Sequence, residues 1–369
     1  MTSLHRWLIV ALATALAIGT PLALRELPAS NTTATATERL AQLHASAAQP
    51  YSGYVESLGT LQLPVADELL DLGPLFGERT RMRVWWNDPV LWRVDRLTAT
   101  GEEDLVQSGG VTTQWAYEGT KVTKTPEADV RLPRISDLLP PELARYLLED
   151  VQPADAATLP AERIAGRSAL GLSVAPPDPR SSVDHVDVWI DEETGVPLRL
   201  SLFADGSSNS ALSSTFLDFS PGASSSDVFD FSAPRESTIE RSDVVDVADA
   251  ANRFAPVRPP RTAAGLPLSR DTELRGVGVY GTGLTRVLAI PLWKDVASPL
   301  REQLLATPTV EQLAEGPALS VGPLGILLTH FTESNGGWLI AGTVTQETLA
   351  DVAVDLQKAQ PLPSLFREG

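Results

Sequence analysis

Residues 81 to 96, RMRVWWNDPVLWRVDR, alternate so regularly that they admit little besides a β-hairpin. Successive strand side chains point to opposite faces, so Thr80, Met82, Val84 and Trp86 share one face of a first strand, with Arg79, Arg81, Arg83 and Trp85 on the other. Asn87, Asp88 and Pro89 supply the turn. Val90, Trp92 and Val94 then share a face of the second strand. Paired in phase, Met82, Val84, Trp86, Trp92 and Val94 make one continuous apolar surface, backed by a mostly arginine, solvated one. A strand pair apolar on one side only calls for an antiparallel sheet with a cover.

The chain supplies both. Strand-like alternation recurs before the hairpin in YSGYVESLGTLQL, and after it in EEDLVQSGGVTTQWAYEGTKVTKTP, where Trp115 and Tyr117 project to one side. Three or four further strands follow between residues 163 and 219, and DVFDFSAP closes the unit. RISDLLPPELARYLLEDV is the clearest helix: Pro141 and Glu142 suit a first turn, and Leu143, Tyr146 and Leu147 recur at helical spacing. It is the expected cover. DELLDLGPLFG reads as a helical turn or lid, and residues 25 to 49 as a linker passing into a short helix with Leu40 and Leu43 on one face.

Around residues 236 to 269 the periodicity gives way to Pro, Asp and Arg, which marks a linker. Residues 270 to 358 then form a smaller α+β unit of two hairpins and two helices, the last capped by Thr345, with residues 359 to 369 as a tail. Trp338 lies beside the polar tip of the second hairpin, and is either core or a contact for a protein partner. The 369 residues, 43% of them hydrophobic, suffice for two cores. At the other end, His5 and Arg6 precede an apolar run from Trp7 to Leu24 that is intermediate in length between a secretory signal and a membrane span. Residues 1 to 24 are therefore a cleaved signal or an anchor holding the chain to the membrane, and either puts the rest outside the cytoplasm.

A formal charge of -18 excludes a nucleic-acid partner, since phosphate binding needs a basic surface. With no cysteine there is no thiolate metal site, disulfide or Cys nucleophile. The four histidines, His5, His44, His185 and His330, have no metal-ligand spacing. GRSALG around Ser168 lacks the second glycine of a nucleophile elbow, because residue 170 is leucine. GVGVYGTG lacks the lysine of a phosphate loop. No catalytic constellation emerges and no cofactor is expected. The aromatics remain, and periodicity alone leaves two readings for them: a filled core, or the wall of an apolar pocket.

GGVTTQWAYEGTKVTKTP resembles the LolA-type lipoprotein-carrier pattern, in which a turn leads to a strand with aromatic-x-Tyr and then to a polar stretch ending in x-Val-Thr. WNDPVLWRVD is similar to that family's preceding hairpin, with Arg93 as its central arginine. VDVWIDEETGVPLRLSLF resembles the late hairpin of the related RseB/MucB regulators, and FDFSAP their closing strand. Over residues 50 to 235 the resemblance implies an α+β fold: an incomplete antiparallel β-barrel wrapped around helices, with an apolar cavity for the acyl chains of lipid or lipoprotein. The expected wall is Met82, Val84, Trp86, Trp92, Val94, Trp115 and Tyr117 from the sheet, with Leu143, Tyr146 and Leu147 from the helix. A second unit after the barrel is what RseB/MucB has and the plain carrier lacks. That branch implies a non-enzymatic sensor of envelope lipid with a membrane-spanning anti-sigma factor as partner. A simple carrier and a ligand-free scaffold are the alternatives.

Overall fold

The structure is a computed structural model, and it describes residues 14, 29, 32–60, 77, 79–126, 133–241, 258–269, 276–330 and 337–358. Apart from Thr14 and Gly77, the apolar N-terminal run and the DELLDLGPLFG segment lie outside the described residues. Among those described, no helix is long and apolar enough to cross a membrane.

Twelve strands form one sheet: β1 (Tyr51–Gly59), β2 (Arg79–Asp88), β3 (Leu91–Leu97), β4 (Glu102–Ser108), β5 (Val111–Ala116), β6 (Lys121–Pro126), β7 (Ala156–Ile164), β8 (Arg167–Val174), β9 (Val183–Asp191), β10 (Pro197–Ala204), β11 (Ser210–Pro221) and β12 (Thr238–Arg241). Their order is β12-β6-β5-β4-β3-β2-β1-β11-β10-β9-β8-β7. Among the described residues the sheet does not close, with β12 and β7 as its two edges: the antiparallel sheet with covering helices is as expected, and the incomplete barrel is an open, covered sheet. All pairings are antiparallel except β12 with β6. The closing segment also differs from expectation. Ser226–Phe229 is a 3-10 turn and not a strand, and the parallel edge strand β12 falls inside the stretch read as linker.

The covers are α1 (Ala36–Ala45) and α2 (Pro140–Leu148). Thr35 and Glu38 close a capping box at the start of α1, and a proline at the first position of α2 costs no hydrogen bond there. Leu40 and Leu43 of α1 and Leu143, Ala144 and Leu148 of α2 join the alternate strand residues in one core. Arg39 fixes α1 to the sheet edge: buried at 7% exposure, its guanidinium donates to the carbonyls of Leu159 (3.0 Å) and Gly171 (2.7 Å), and to Ala34 (3.1 Å) on its own side. At the β9–β10 turn Gly195, at φ +75°, lies where a Cβ would come within 2.5 Å of the Gln42 carbonyl, so α1 needs glycine there.

The other face is the solvated arginine surface that alternation implies at Arg79 and Arg81, which are exposed, but not around Arg93. Residues 222 to 231 return across it, with Asn87 and Ser224 exchanging hydrogen bonds of 2.8 and 3.2 Å, and Phe229, Val106 and Val122 are all buried. Under this strap Arg93 pairs with Asp95 (2.6 Å) and Asp104 (2.8 Å), Arg83 pairs with Asp95 (3.5 Å) and Glu102, and both guanidinium groups lie over the Trp85 ring. Carboxylate oxygens of Asp95, Glu102 and Asp104 converge within 4.8 Å, and the two arginines already occupy the place of a cation among them.

The second sheet runs β15-β16-β20-β19-β18-β17, with β15 (Gly278–Thr282), β16 (Thr285–Leu292), β17 (Glu311–Gln312), β18 (Pro317–Val321), β19 (Leu324–Leu328) and β20 (Gly337–Gly342). The short ladder β13 (Thr262–Ala263) and β14 (Leu266–Pro267) precedes it. Helix α3 (Lys294–Ala306) buries Ala297, Leu300 and Leu304 on one face, and α4 (Gln346–Gln357) buries Leu349, Val352 and Leu356 on the other. The β8–β9 loop is its seat. Ser182 donates to the Thr343 carbonyl (3.2 Å), Thr345 to that of Arg180 (2.8 Å), and the Arg180 side chain to that of Ala264 (2.7 Å).

Two outcomes follow for stability. Arg39→Met strips two buried strand carbonyls of a charged donor and should cost about 3 kcal/mol in urea unfolding; Arg39→Lys should restore part of it. Burial first, and then the charge of Asp95, push the Asp104 carboxyl up to about 7. The folded chain therefore holds that proton more tightly than the unfolded chain does, so its contribution is complete at low pH and is lost as pH rises from about 4 to about 7. Asp104→Asn should flatten the stability profile across that window, measured by urea titrations at stepped pH.

Candidate functional site

The apolar face is organised by aromatic rings placed by register. Tyr51 pairs with Trp86 across β1 and β2, and Trp86 with Trp92 across β2 and β3. Side chains of paired residues share a face about 5 Å apart, and here they stack: Tyr51 on Trp86 at 6.0 Å and 2°, Trp86 on Trp92 at 5.6 Å and 5°. Phe216 meets Tyr51 edge-on at 5.7 Å. At the far end the Arg134 guanidinium lies 4.7 Å from the Trp92 ring, a cation–π contact.

The near end of this row is open. Between the last turn of α1, the first turns of α2 and the Tyr51–Trp86 pair lies a half-open groove of about 320 Å³, in the range of small-ligand pockets. Leu43, Ala47, Pro141 and Pro197 give it apolar walls; His44, Glu142, Arg145 and Glu149 line it with polar groups. His44 Nε2 lies 3.0 Å from the Leu148 carbonyl and ties the two helices together. Glu142 accepts from Arg145 at 2.8 Å through one carboxylate oxygen. Tyr51 is 2% exposed and its hydroxyl has no hydrogen-bond partner among the described residues. Burial, then the Glu142 charge, hold that phenol well above its ordinary pKa.

Of the residues expected to wall a cavity, Trp86 alone lines the groove. Met82, Val84, Trp92, Val94 and Leu143 are buried in the core behind it, and Leu147 packs at its margin. Trp115 is on the opposite face: it pairs with Asp104, which pairs with Asp95, and its ring meets Phe231 at 6.2 Å. Tyr117 is exposed in the β5–β6 turn, and Tyr146 is exposed with Arg145 over its ring. Val90 lies at the exposed hairpin tip, outside the strand face. Trp338, read as core or partner contact, is 4% exposed within the second core, and so presents no surface. Tyr51, Leu43 and Glu142 were missed. Period-two spacing places Tyr51 on the same face as Val55, but only pairing across 35 residues brings it to Trp86.

Removing the middle of the stack should be severe: Trp92→Ala leaves a large void against Trp86 and Arg134 and should lower stability by about 3 to 5 kcal/mol in a denaturant titration.

No family model matches the sequence, and no curated protein matches it. Among solved structures, a chain of the Pseudomonas aeruginosa MucA/MucB complex is similar, at 17% identity over 89% of this chain and 99% of that one, with a TM-score of 0.51. MucB in complex with the periplasmic part of MucA aligns at 19% identity over 89% of this chain and 100% of that one, with a TM-score of 0.48. A LolA superfamily protein from Nitrosomonas europaea aligns at 10% identity over 54% of this chain and 99% of that one, with a TM-score of 0.25. The chain therefore has a MucB-like fold, the fold that its sequence resemblance implies.

Proposed function

We propose that the chain is a non-enzymatic, extracytoplasmic acyl-chain binder that regulates a membrane-spanning anti-sigma factor, as RseB/MucB-type proteins are understood to do. The groove against Tyr51 and Trp86 carries the reading. An acyl chain leaving a bilayer loses about 0.8 kcal/mol for each methylene, and a site of this kind offers aromatic and proline surface in exchange. The similar MucB is described in complex with MucA, which favours a corresponding protein partner here.

One contact favours a regulator over a simple carrier. The turn that follows α2 carries Asp150, whose carboxylate pairs with Arg286 of β16 at 2.5 Å, while Glu142, Arg145 and Glu149 just before it line the groove. The element that a ligand would touch thus also touches the second sheet. The pair is partly exposed and contributes little stability; its value is positional.

The full chain should take up the neutral fluorophore N-phenyl-1-naphthylamine saturably, and Ala47→Trp, which fills the groove from an exposed position, should weaken uptake at least tenfold, on the order expected when an apolar pocket is lost. Equal uptake by this folded variant would falsify the assignment of the groove. Binding of the extracytoplasmic segment of an anti-sigma factor from the native host, measured with and without a fatty-acyl ligand, separates regulator from carrier: a carrier shows no ligand-dependent difference.

A further inference from the structure

Tyr51 holds a hydroxyl that the fold does not use. Its ring is packed by Trp86 and Phe216 as a phenylalanine ring would be, yet its oxygen is buried without a hydrogen bond. A buried polar atom without a partner is destabilising, and phenylalanine would fill the same space without that cost. The residue lines the groove together with Glu142, whose charge acts on the phenol, so the hydroxyl lies within the influence of the groove's lining. The charge around it narrows the partner's chemistry. Glu142 and Glu149 bring two carboxylates to the lining against the one guanidinium of Arg145, and that guanidinium is already committed to Glu142. A ligand carboxylate would meet like charge beside the buried Glu142, whereas a neutral acceptor would not.

We infer that Tyr51 donates a hydrogen bond to the ester carbonyl of an acylated lipid seated in the groove, and that Glu142 makes the groove select esters over free fatty acids. This rests on the reading of the groove as an acyl-chain site. The carbonyl of an ester lies at the head of the chain, so its place beside Tyr51 sets the chain along the Trp86 and Leu43 walls and the alcohol moiety toward the mouth at Glu149.

The test uses the full chain loaded with N-phenyl-1-naphthylamine and displaced by methyl laurate, laurate or tridecane, three ligands of similar length. In the wild type methyl laurate should displace the probe at about tenfold lower concentration than laurate at pH 8, and more effectively than tridecane by the worth of one hydrogen bond, about fivefold to tenfold. Tyr51→Phe should bring methyl laurate down to the tridecane level, leave tridecane unchanged and not lower the thermal midpoint of the ligand-free protein. Glu142→Gln should improve laurate about tenfold and leave tridecane alone, on the scale of one removed like charge. Tyr51→Phe with undiminished ester preference overturns the assignment, and so does an equal loss of ester and alkane, which would make the hydroxyl structural. If the wild type takes up no probe at all, the acyl-chain reading of the groove falls together with it.

Discussion

The stack of Tyr51, Trp86 and Trp92 is the interaction around which the first unit is arranged. Strand β1 is where the chain's early strands meet its late ones, since it pairs with β2 on one side and β11 on the other. That junction is closed by contacts distant in sequence, which local propensity cannot supply. Two indoles and a phenol stacked across it, with Phe216 from β11 set edge-on, give a large apolar area whose orientation is fixed by quadrupole preference as well as by shape. α1 and α2 cover what the stack leaves bare. The groove lies where the two helices meet over the Tyr51–Trp86 end of the stack.

Much of this was legible in the sequence. The hairpin, α2 and the need for a cover all come from periodicity, and the strict alternation of β2 fixes its two faces without reference to any neighbour. β4 is where the reading fails. Asp104, Leu105, Val106 and Gln107 are all buried, so alternation there cannot say which face is inside, and the parity passed on to Trp115 is undetermined. A change of one residue moves a side chain to the opposite face, and Trp115 took it. The parallel return of β12 beside β6 was beyond reach for another reason: four residues pair with a strand more than a hundred positions earlier, and nothing in their own pattern names the partner.

The outer face shows the same limit from the electrostatic side. Arginine at alternate positions reads as solvated because a charged residue is seldom buried without a partner. Here the partners are Asp95, Asp104 and Glu102 on neighbouring strands, of which Asp95 and Asp104 are buried while Glu102 and Arg83 stay partly exposed. Removing one member would strand the others, which is a larger effect than the net worth of the network. The network also explains Trp85, the third indole of the hairpin. It faces away from the other two, and both guanidinium groups lie over its ring.

Site and cover differ in how far they can tolerate change. Core residues such as Met82 and Val94 touch packed neighbours on every side, so any ligand function there would compete with stability. Tyr51, Glu142 and Arg145 stand where two helices and a sheet meet incompletely, and a group can enter without displacing anything. That junction is also mechanically placed. His44 ties α1 to the carbonyl of Leu148, and two residues further on Asp150 reaches Arg286 of the second sheet. The groove-lining residues of α2 and the Asp150 contact with Arg286 are thus joined by one short helix and its closing turn. The end of an aromatic stack, a buried hydroxyl and a helix whose closing turn reaches the neighbouring sheet lie in sequence along one path, which is the geometry the proposed regulator would need.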